Sequence, residues 1–364
     1  MRLEVAMRSA LSLARHGLGV CYPNPSVGCV ILDISNNLIG SGRTSDGGRP
    51  HAEFNALSSL DVNPIGGTAL VTLEPCAHKD QTFSCAELLV KSGIKNVFIA
   101  ILDPDKRTAG KGVKLLQDVG INVEVGLCKD EAYEINKGYF LRIKKKLPLV
   151  TLKIASSMDG KIATKHRESK WITGKLARNH GHLLRANHDA ILVGINTIIS
   201  DNSKLNCRLN GLIKQSPVKV IVDSKLSIPL SANVLKKINR YPVIIWTQKN
   251  IRDVKKRKLL DLGVNIKELP KNNKNQLNLK FGLEDLAKKG YTRVLVEGGS
   301  EISASLLSKN LVNNIFLYRS GMIIGGDGLS SIASYGLKDL KLAKNFNIIS
   351  SKIIDNDLLE EWQR

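Results

Sequence analysis

Apolar residues recur at Met7, Leu11, Ala14 and Leu18, the spacing of an amphipathic helix, and then give way to a continuous apolar run of strand length, Val27–Leu32. A turn at Asn36–Asn37 leads to a partner segment at Leu38–Ser41, and His51–Leu60 returns to helical spacing with Ala52, Ala56 and Leu57 on one face. The pattern continues as strand Thr68–Leu73, helix Cys85–Ser92 ended by Gly93, and strand Asn96–Ala100. Helix Gly112–Val119, ended by Gly120, and strand Asn122–Val125 close this stretch. Strands alternating with short helices predict an α/β layered domain.

The basic run Arg142–Lys146 leads to Pro148, after which a new strand pattern opens with Leu149–Ile154. A charge run followed by proline is read as the boundary between a domain at 1–146 and a second at 147–364. The second half predicts helix Lys175–Ala186 and strands Ala190–Val193, Val218–Val222 and Val243–Trp246. Helix Leu283–Lys289, strand Arg293–Val296, helix Ser300–Ser308 and strand Asn314–Tyr318 follow, again an α/β pattern. A chain of 364 residues is long enough for each half to bury its own core. No internal repeat and no Gly/Ser-rich linker interrupts it, and no apolar run reaches bilayer length.

Charge adds less than its size suggests. The formal net charge of +21 invites a nucleic-acid reading, but the lysines fall in separate clusters at Lys144–Lys146, Lys236–Lys237, Lys255–Lys258 and Lys271–Lys274. Aromatic residues make up 5% of the chain, so stacking platforms for single strands are scarce. No nucleic-acid partner and no membrane association are expected. Arg2, Arg8 and Arg15 on an apolar pattern are reminiscent of a targeting segment, yet Glu4 sits among them. The segment is read as the first helix of the fold, and the protein as cytoplasmic.

Six cysteines (21, 29, 76, 85, 128 and 207) are too few for a disulfide framework in so long a chain, and Cys29 reads as a buried thiol of a strand. Cys76 and Cys85 differ. His51-Ala52-Glu53 opens a helix, Glu74-Pro75-Cys76 closes a strand, and Cys85 starts another helix. One imidazole and two thiolates, His51, Cys76 and Cys85, suit zinc with a fourth position left for water. Helix N-termini at His51 and Cys85 favour the negative charge of thiolate. Glu53, two residues from a ligand, is placed to move protons without coordinating. A structural zinc site closed by His78 is the bland alternative, and it would leave no water to activate. The pattern is the one described for zinc deaminases of nucleobases.

Cytidine and tRNA adenosine deaminases usually separate the two cysteines by two residues, whereas eight intervene between Cys76 and Cys85. That insertion, with His78 and Thr82 inside it, resembles the deaminase half of the bifunctional deaminase/reductase family of riboflavin biosynthesis. So do Pro23-Asn24-Pro25-Ser26-Val27-Gly28-Cys29-Val30, Gly47-Gly48-Arg49-Pro50, Asp103-Pro104 and Ala109-Gly110-Lys111-Gly112. The resemblance implies a three-layer, cytidine-deaminase-like fold with Asn24 and His78 on the pyrimidine. The chain departs from the family in Asp80, Gln81, Thr82, Phe83 and Ser84, where a basic residue commonly stands at the position of Gln81; Lys79 is a neighbouring substitute.

The second half has no Gly-x-Gly-x-x-Gly after a strand, so a conventional dinucleotide fingerprint is not supported. It does have Val294-Leu295-Val296-Glu297-Gly298-Gly299-Ser300, a strand running through glycines into a helix start, a place where backbone can approach a phosphate. With Thr151–Ala163, Trp171-Ile172-Thr173-Gly174, Leu184-Arg185-Ala186 and Ala190–Gly194, it is similar to the reductase half of the same family, whose fold resembles dihydrofolate reductase. The resemblance covers nearly the whole chain and is weakest over 225–290 and the C-terminal tail.

It implies that Ala155, Trp171, Thr197, Asp201 and the segment Gly299, Ser300, Glu301, Ile302, Ser303, Ala304 and Ser305 contact NADPH. Lys153, Ser169, Arg185, Leu205, Arg208 and Glu297 are expected on the substrate, with the two arginines suited to a ribose phosphate. Ser203-Lys204 and Gly174 stand where the family commonly has proline and serine. The implied activity is hydrolytic deamination of a phosphoribosylamino-pyrimidinone followed by NADPH reduction of its ribosyl group, in a homodimer. Two other readings are a degenerate, scaffolding second domain and a nucleic-acid-editing deaminase. Lys153, Arg185, Arg208 and Glu297 speak against the first, and the cysteine spacing and scattered charge against the second.

Overall fold

The computed structural model describes residues 1–78, 83–251, 254–272 and 275–364, so Lys79, Asp80, Gln81 and Thr82 lie outside the described residues. The chain divides into two compact units, Met1–Leu147 and Pro148–Arg364.

The first unit comprises α1 (Leu3–His16), β1 (Gly28–Leu32), β2 (Leu38–Arg43), α2 (Ala52–Ser58), β3 (Thr68–Val71) and α3 (Cys85–Lys91). It continues as β4 (Asn96–Ile99), α4 (Lys111–Asp118), β5 (Asn122–Val125) and α5 (Lys129–Lys145). The sheet order is β2-β1-β3-β4-β5, with β1 antiparallel to both neighbours and β3, β4 and β5 parallel. Because strand side chains alternate, the sheet is apolar on both faces. Cys29, Ile31, Ala69 and Val71 pack with Ala56, Leu89 and Leu116 of α2, α3 and α4. Val30, Leu32 and Leu70 pack on the other side with Met7, Leu11 and Ile135 of α1 and α5. Three layers result.

The basic run that, with Pro148, was read from the sequence as the domain boundary is the last turn of α5, where Arg142, Lys144 and Lys145 lie at the carbonyl end of the helix. Lys146, in the left-handed region, stops it.

The second unit holds β6 (Leu149–Ser156), β7 (Lys161–Ala163), α6 (Lys175–Ala186), β8 (Ala190–Gly194), α7 (Ile195–Asp201) and β9 (Val218–Val222). Then come β10 (Val243–Gln248), α8 (Val254–Asp261), β11 (Asn265–Leu269), α9 (Leu279–Lys288), β12 (Arg293–Glu297) and α10 (Ser300–Ser308). β13 (Asn314–Ser320), β14 (Leu329–Ser330), β15 (Asn347–Ile354) and β16 (Asp357–Gln363) end the chain. The main sheet runs β11-β10-β9-β8-β12-β6-β13-β16-β15, parallel except for β16, while β7 and β14 form a separate ribbon. Trp246 of β10 is fully buried under α9, where a Cβ on Gly282 would stand 2.8 Å from its ring.

The order β8-β12-β6 positions the second site. It sets the carboxyl ends of three adjacent parallel strands side by side, the edge at which α/β sheets bind ligands.

Candidate functional sites

In the first unit the site is built from two helix starts and a strand end. Gly42 of β2 lets α2 settle on the sheet, since a Cβ there would lie 2.4 Å from the Ala56 amide nitrogen. His51 is the extended N-cap of α2 and Glu53 lies in its first turn, 3% exposed. Ser84 caps α3 in a reciprocal box with Glu87, worth about 1 kcal/mol, and fixes Cys85 as the first helical residue.

Cys76 follows Glu74-Pro75, and Glu74 is an anchor. Its two carboxylate oxygens accept backbone N–H bonds from Asp103, Gly110, Gly112 and Val113 at 3.0–3.3 Å. A whole returning segment is thereby tied to the residue two before a candidate ligand.

His51 Nδ1 stands 3.3 Å from Cys85 Sγ and 3.7 Å from Cys76 Sγ, and the three ligand atoms lie within 4.8 Å of one another. Zinc bonds of about 2.3 Å to sulfur and 2.0–2.1 Å to nitrogen in a tetrahedron put nitrogen and sulfur roughly 3.6 Å apart. The measured pair brackets that value, so the donor set fits zinc in both chemistry and size. The Cys85 thiol and His51 hydrogen-bond to Cys76 and draw its pKa down, and the Cys85 amide adds an N–H bond of 3.4 Å. Bonding to Cys76 raises His51, and burial raises Glu53. His78 turns toward the Thr108 hydroxyl, 3.5 Å from its Nδ1, and is not among the clustered donors of the described residues. Among the described residues the cluster therefore offers three candidate ligands. Asn24 donates to the Gly48 carbonyl at 2.7 Å, and its loop is braced by Asn136 of α5, which exchanges two 2.9 Å bonds with the Ser26 backbone.

In the second unit, Lys153 and Glu297 are register partners on β6 and β12. Arg185 of α6 grips Glu297 with Nε and Nη2, each at 2.7 Å, and its Nη1 donates to the Asn206 carbonyl at 3.1 Å. Much of the Arg185 fork expected on a phosphate is thus taken by Glu297. Burial would raise the Glu297 pKa, but the Arg185 charge and bonds, with Lys153, hold it down to about 2. Burial lowers Lys153, and Glu297 partly offsets it. The Lys153 ammonium lies 5.3 Å from the Tyr318 ring centre.

Arg208 donates from Nε to His182 Nε2 at 3.2 Å. Leu205 is 3% exposed with its side chain in the core, which leaves its backbone for any ligand contact.

Gly298 and Gly299 both have positive φ (80° and 88°), and a Cβ on Gly298 would stand 3.1 Å from Thr197 Oγ1. The turn therefore demands glycine and brings Thr197 to the start of α10. Ser300, Ile302, Ser303 and Ala304 are buried in α10, whereas Glu301 is exposed. Trp171 is 62% exposed with the Arg178 guanidinium 4.3 Å over its ring. Ala155 is half-buried on β6. Ser169 precedes Trp171 and Asp201 ends α7; neither makes a side-chain hydrogen bond among the described residues.

Glu74, Asn136, His182 and Asn206 were not singled out from the sequence. His182 sits three residues before Arg185 on α6, a spacing that could have flagged it. The work of Glu74 depends on a segment thirty residues away folding back.

A three-ligand metal cluster beside a buried glutamate in a three-layer α/β unit defines a zinc deaminase. The second unit carries its glycine turn at the carboxyl edge of a largely parallel sheet, the edge at which such sheets bind ligands. Comparison with known proteins bears on both units. Residues 1–101 match the cytidine and deoxycytidylate deaminase zinc-binding region, and residues 148–359 match the RibD C-terminal domain. The riboflavin biosynthesis protein RibD of Bacillus amyloliquefaciens is 39% identical over 93% of this chain and 90% of its own length. A solved structure of Acinetobacter baumannii RibD superposes with a TM-score of 0.89 at 35% identity, covering 99% of this chain and 98% of that one. A diaminohydroxyphosphoribosylaminopyrimidine deaminase/5-amino-6-(5-phosphoribosylamino)uracil reductase from Thermotoga maritima gives 0.88 at 33% identity, covering 99% and 98%.

The chain belongs to the RibD family of riboflavin biosynthesis proteins. It is an enzyme with a deaminase and a reductase domain. Among the described residues no helix is long and apolar enough to cross a membrane.

Proposed function

We propose that the first unit hydrolyses the 2-amino group of 2,5-diamino-6-(5-phosphoribosylamino)pyrimidin-4(3H)-one, and that the second reduces the ribosyl group of the product to ribityl with NADPH. The observation that carries the first half is the fit of His51, Cys76 and Cys85 to three tetrahedral zinc positions beside Glu53. When bound there, zinc lowers the pKa of a water toward neutrality. Glu53 takes the water's two protons in turn, giving the first to the ring nitrogen and the second to the departing amine, which leaves as ammonia while the water's oxygen stays on the ring as a carbonyl. Asn24 and His78 hold the pyrimidine.

In the second unit the Gly298–Gly299 turn and the start of α10 receive the cofactor's phosphates, with Ala155, Trp171, Thr197 and Asp201 along the dinucleotide. NADPH supplies the hydride that the ribosyl C1′ accepts. Lys153, Ser169, Leu205 and Glu297 line the substrate side, and Arg185, pinned by Glu297, presents its remaining N–H groups there. Arg208, whose terminal nitrogens are not engaged by His182, takes the phosphate. A cytoplasmic homodimer without a nucleic-acid partner completes the reading; family resemblance supports the dimer, and sedimentation analysis tests it.

Glu53→Gln tests the residue assignment. Deamination is expected to fall by about 10²–10⁴-fold while bound zinc and reduction of the deaminated intermediate stay at wild-type levels. Deamination at the wild-type rate in this variant would remove Glu53 from its role.

A further inference from the structure

Arg208 needs something to aim it. Among the described residues it has no carboxylate partner, and its residue is exposed, so on its own the guanidinium would sample many rotamers. Its recorded tie is the 3.2 Å bond from Nε to His182 Nε2. A guanidinium can only donate, so this bond requires Nε2 to be unprotonated and places the imidazole proton on Nδ1. Nδ1 is buried and makes no hydrogen bond among the described residues, and the Asn206 backbone is a polar group that favours a proton on the ring.

His182 is 8% exposed, one helical turn from Arg185 on α6. The groups facing it are Arg185 and Arg208, with Glu297 behind Arg185; burial and the two guanidinium charges outweigh Glu297 and hold its pKa down to about 4. The imidazole is therefore neutral at physiological pH and available as an acceptor. Binding Arg208 through Nε, the one nitrogen off the terminal fork, fixes the guanidinium plane and leaves both terminal nitrogens for a ligand.

We propose that His182 is a positioning residue for reductase substrate recognition: as the neutral Nδ1–H tautomer it holds Arg208 by Nε and presents its terminal fork to the substrate's 5′-phosphate. The inference rests on the reading of Arg208 as a phosphate ligand. His182 does not touch the reacting atoms, so its removal acts on substrate affinity and spares hydride transfer.

The test measures reductase KM and kcat on the zinc-loaded full chain with the deaminated 5′-phosphate and with its unphosphorylated riboside. His182→Leu is expected to raise KM for the phosphate about five- to tenfold, the effect of losing one hydrogen bond of ordinary net strength, with kcat unchanged. KM for the riboside should not move. His182→Gln, whose amide oxygen can accept the same N–H, should restore most of the phosphate affinity. Equal losses on both substrates, or no recovery with Gln, would overturn the proposal. Arg208→Gln separates the two readings. If it fails to discriminate phosphate from riboside, Arg208 is not the phosphate ligand. If it discriminates and His182→Leu does not, His182 has no positioning role. Should the Leu variant not fold, nitrogen NMR of histidine-labelled wild-type protein decides, because an Nε2-protonated His182 contradicts the proposal.

Discussion

Replacing Glu297 by alanine removes a carboxylate that answers two cations from inside the second unit. Its side chain is 13% exposed and that of Arg185 is 16%, so neither charge can turn to bulk water. A carboxyl held near 2 rather than at its ordinary 4.5 stabilises the folded form at neutral pH. At about 1.4 kcal/mol per pH unit, the contribution is roughly 3 kcal/mol. Breaking one member of a buried pair costs about 3–5 kcal/mol by the separate route of stranding the other charge. The two magnitudes agree, and Glu297→Ala should lose about that much at pH 7.

Because the folded pKa is depressed, this stabilisation is complete above the unfolded value and disappears as pH falls from about 4.5 toward 2. The difference between wild type and variant must therefore shrink over that window. Urea unfolding followed by tryptophan fluorescence is a clean assay, since Trp171, Trp246 and Trp362 all lie in the second unit. A loss below about 1 kcal/mol at pH 7, the range of an exposed pair, or a gap that stays constant down to pH 3, would refute the argument.

Two further outcomes concern the separate sites. Stripping the metal with a strong chelator should abolish deamination, restorable by zinc, yet leave NADPH-dependent reduction of the deaminated intermediate intact; a parallel loss of reduction would contradict the division of labour. Gly298→Ala places a methyl 3.1 Å from Thr197 Oγ1 on a backbone with φ of 80°. Strain of about 1–3 kcal/mol there should raise KM for NADPH roughly tenfold or more and leave ammonia release unchanged, as paired kinetic assays would show.

The alternating elements of the first unit were legible because its strands are continuous apolar runs and its helices end at glycines such as Gly93 and Gly120. What escaped was α5, whose Lys, Asn and Glu content obscures the narrow apolar stripe of Ala132, Ile135 and Phe140. In the second unit α8 was missed for a similar reason: Leu259 is its sole buried residue, in a run of lysines. Strand β15 carries Ile348, Ile349 and Ile353 outward on a sheet edge, so its pattern does not mark a core-facing strand.

The candidate metal cluster could be picked out along the sequence because His51, Glu53, Cys76 and Cys85 are each tied to an element boundary, and the structure brings the three donors together. For the proposed reductase site the sequence offered candidate residues but not the contacts among them. That Arg185 spends its fork on Glu297, while Arg208 is held by His182, follows from α6 lying against the end of β12 and the segment after α7. No local pattern announces that meeting.

The central claim is that one chain performs two successive reactions on one pyrimidine. Mass spectrometry of the products formed by the zinc-loaded protein from the diaminopyrimidine phosphate, with and without NADPH, tests it most directly. Without NADPH the account predicts a product in which oxygen has replaced the amino group; with NADPH the same product should also carry two added hydrogens. Deamination with no reduction in either reaction would contradict an active second unit, and no turnover with zinc bound would contradict the assignment of both.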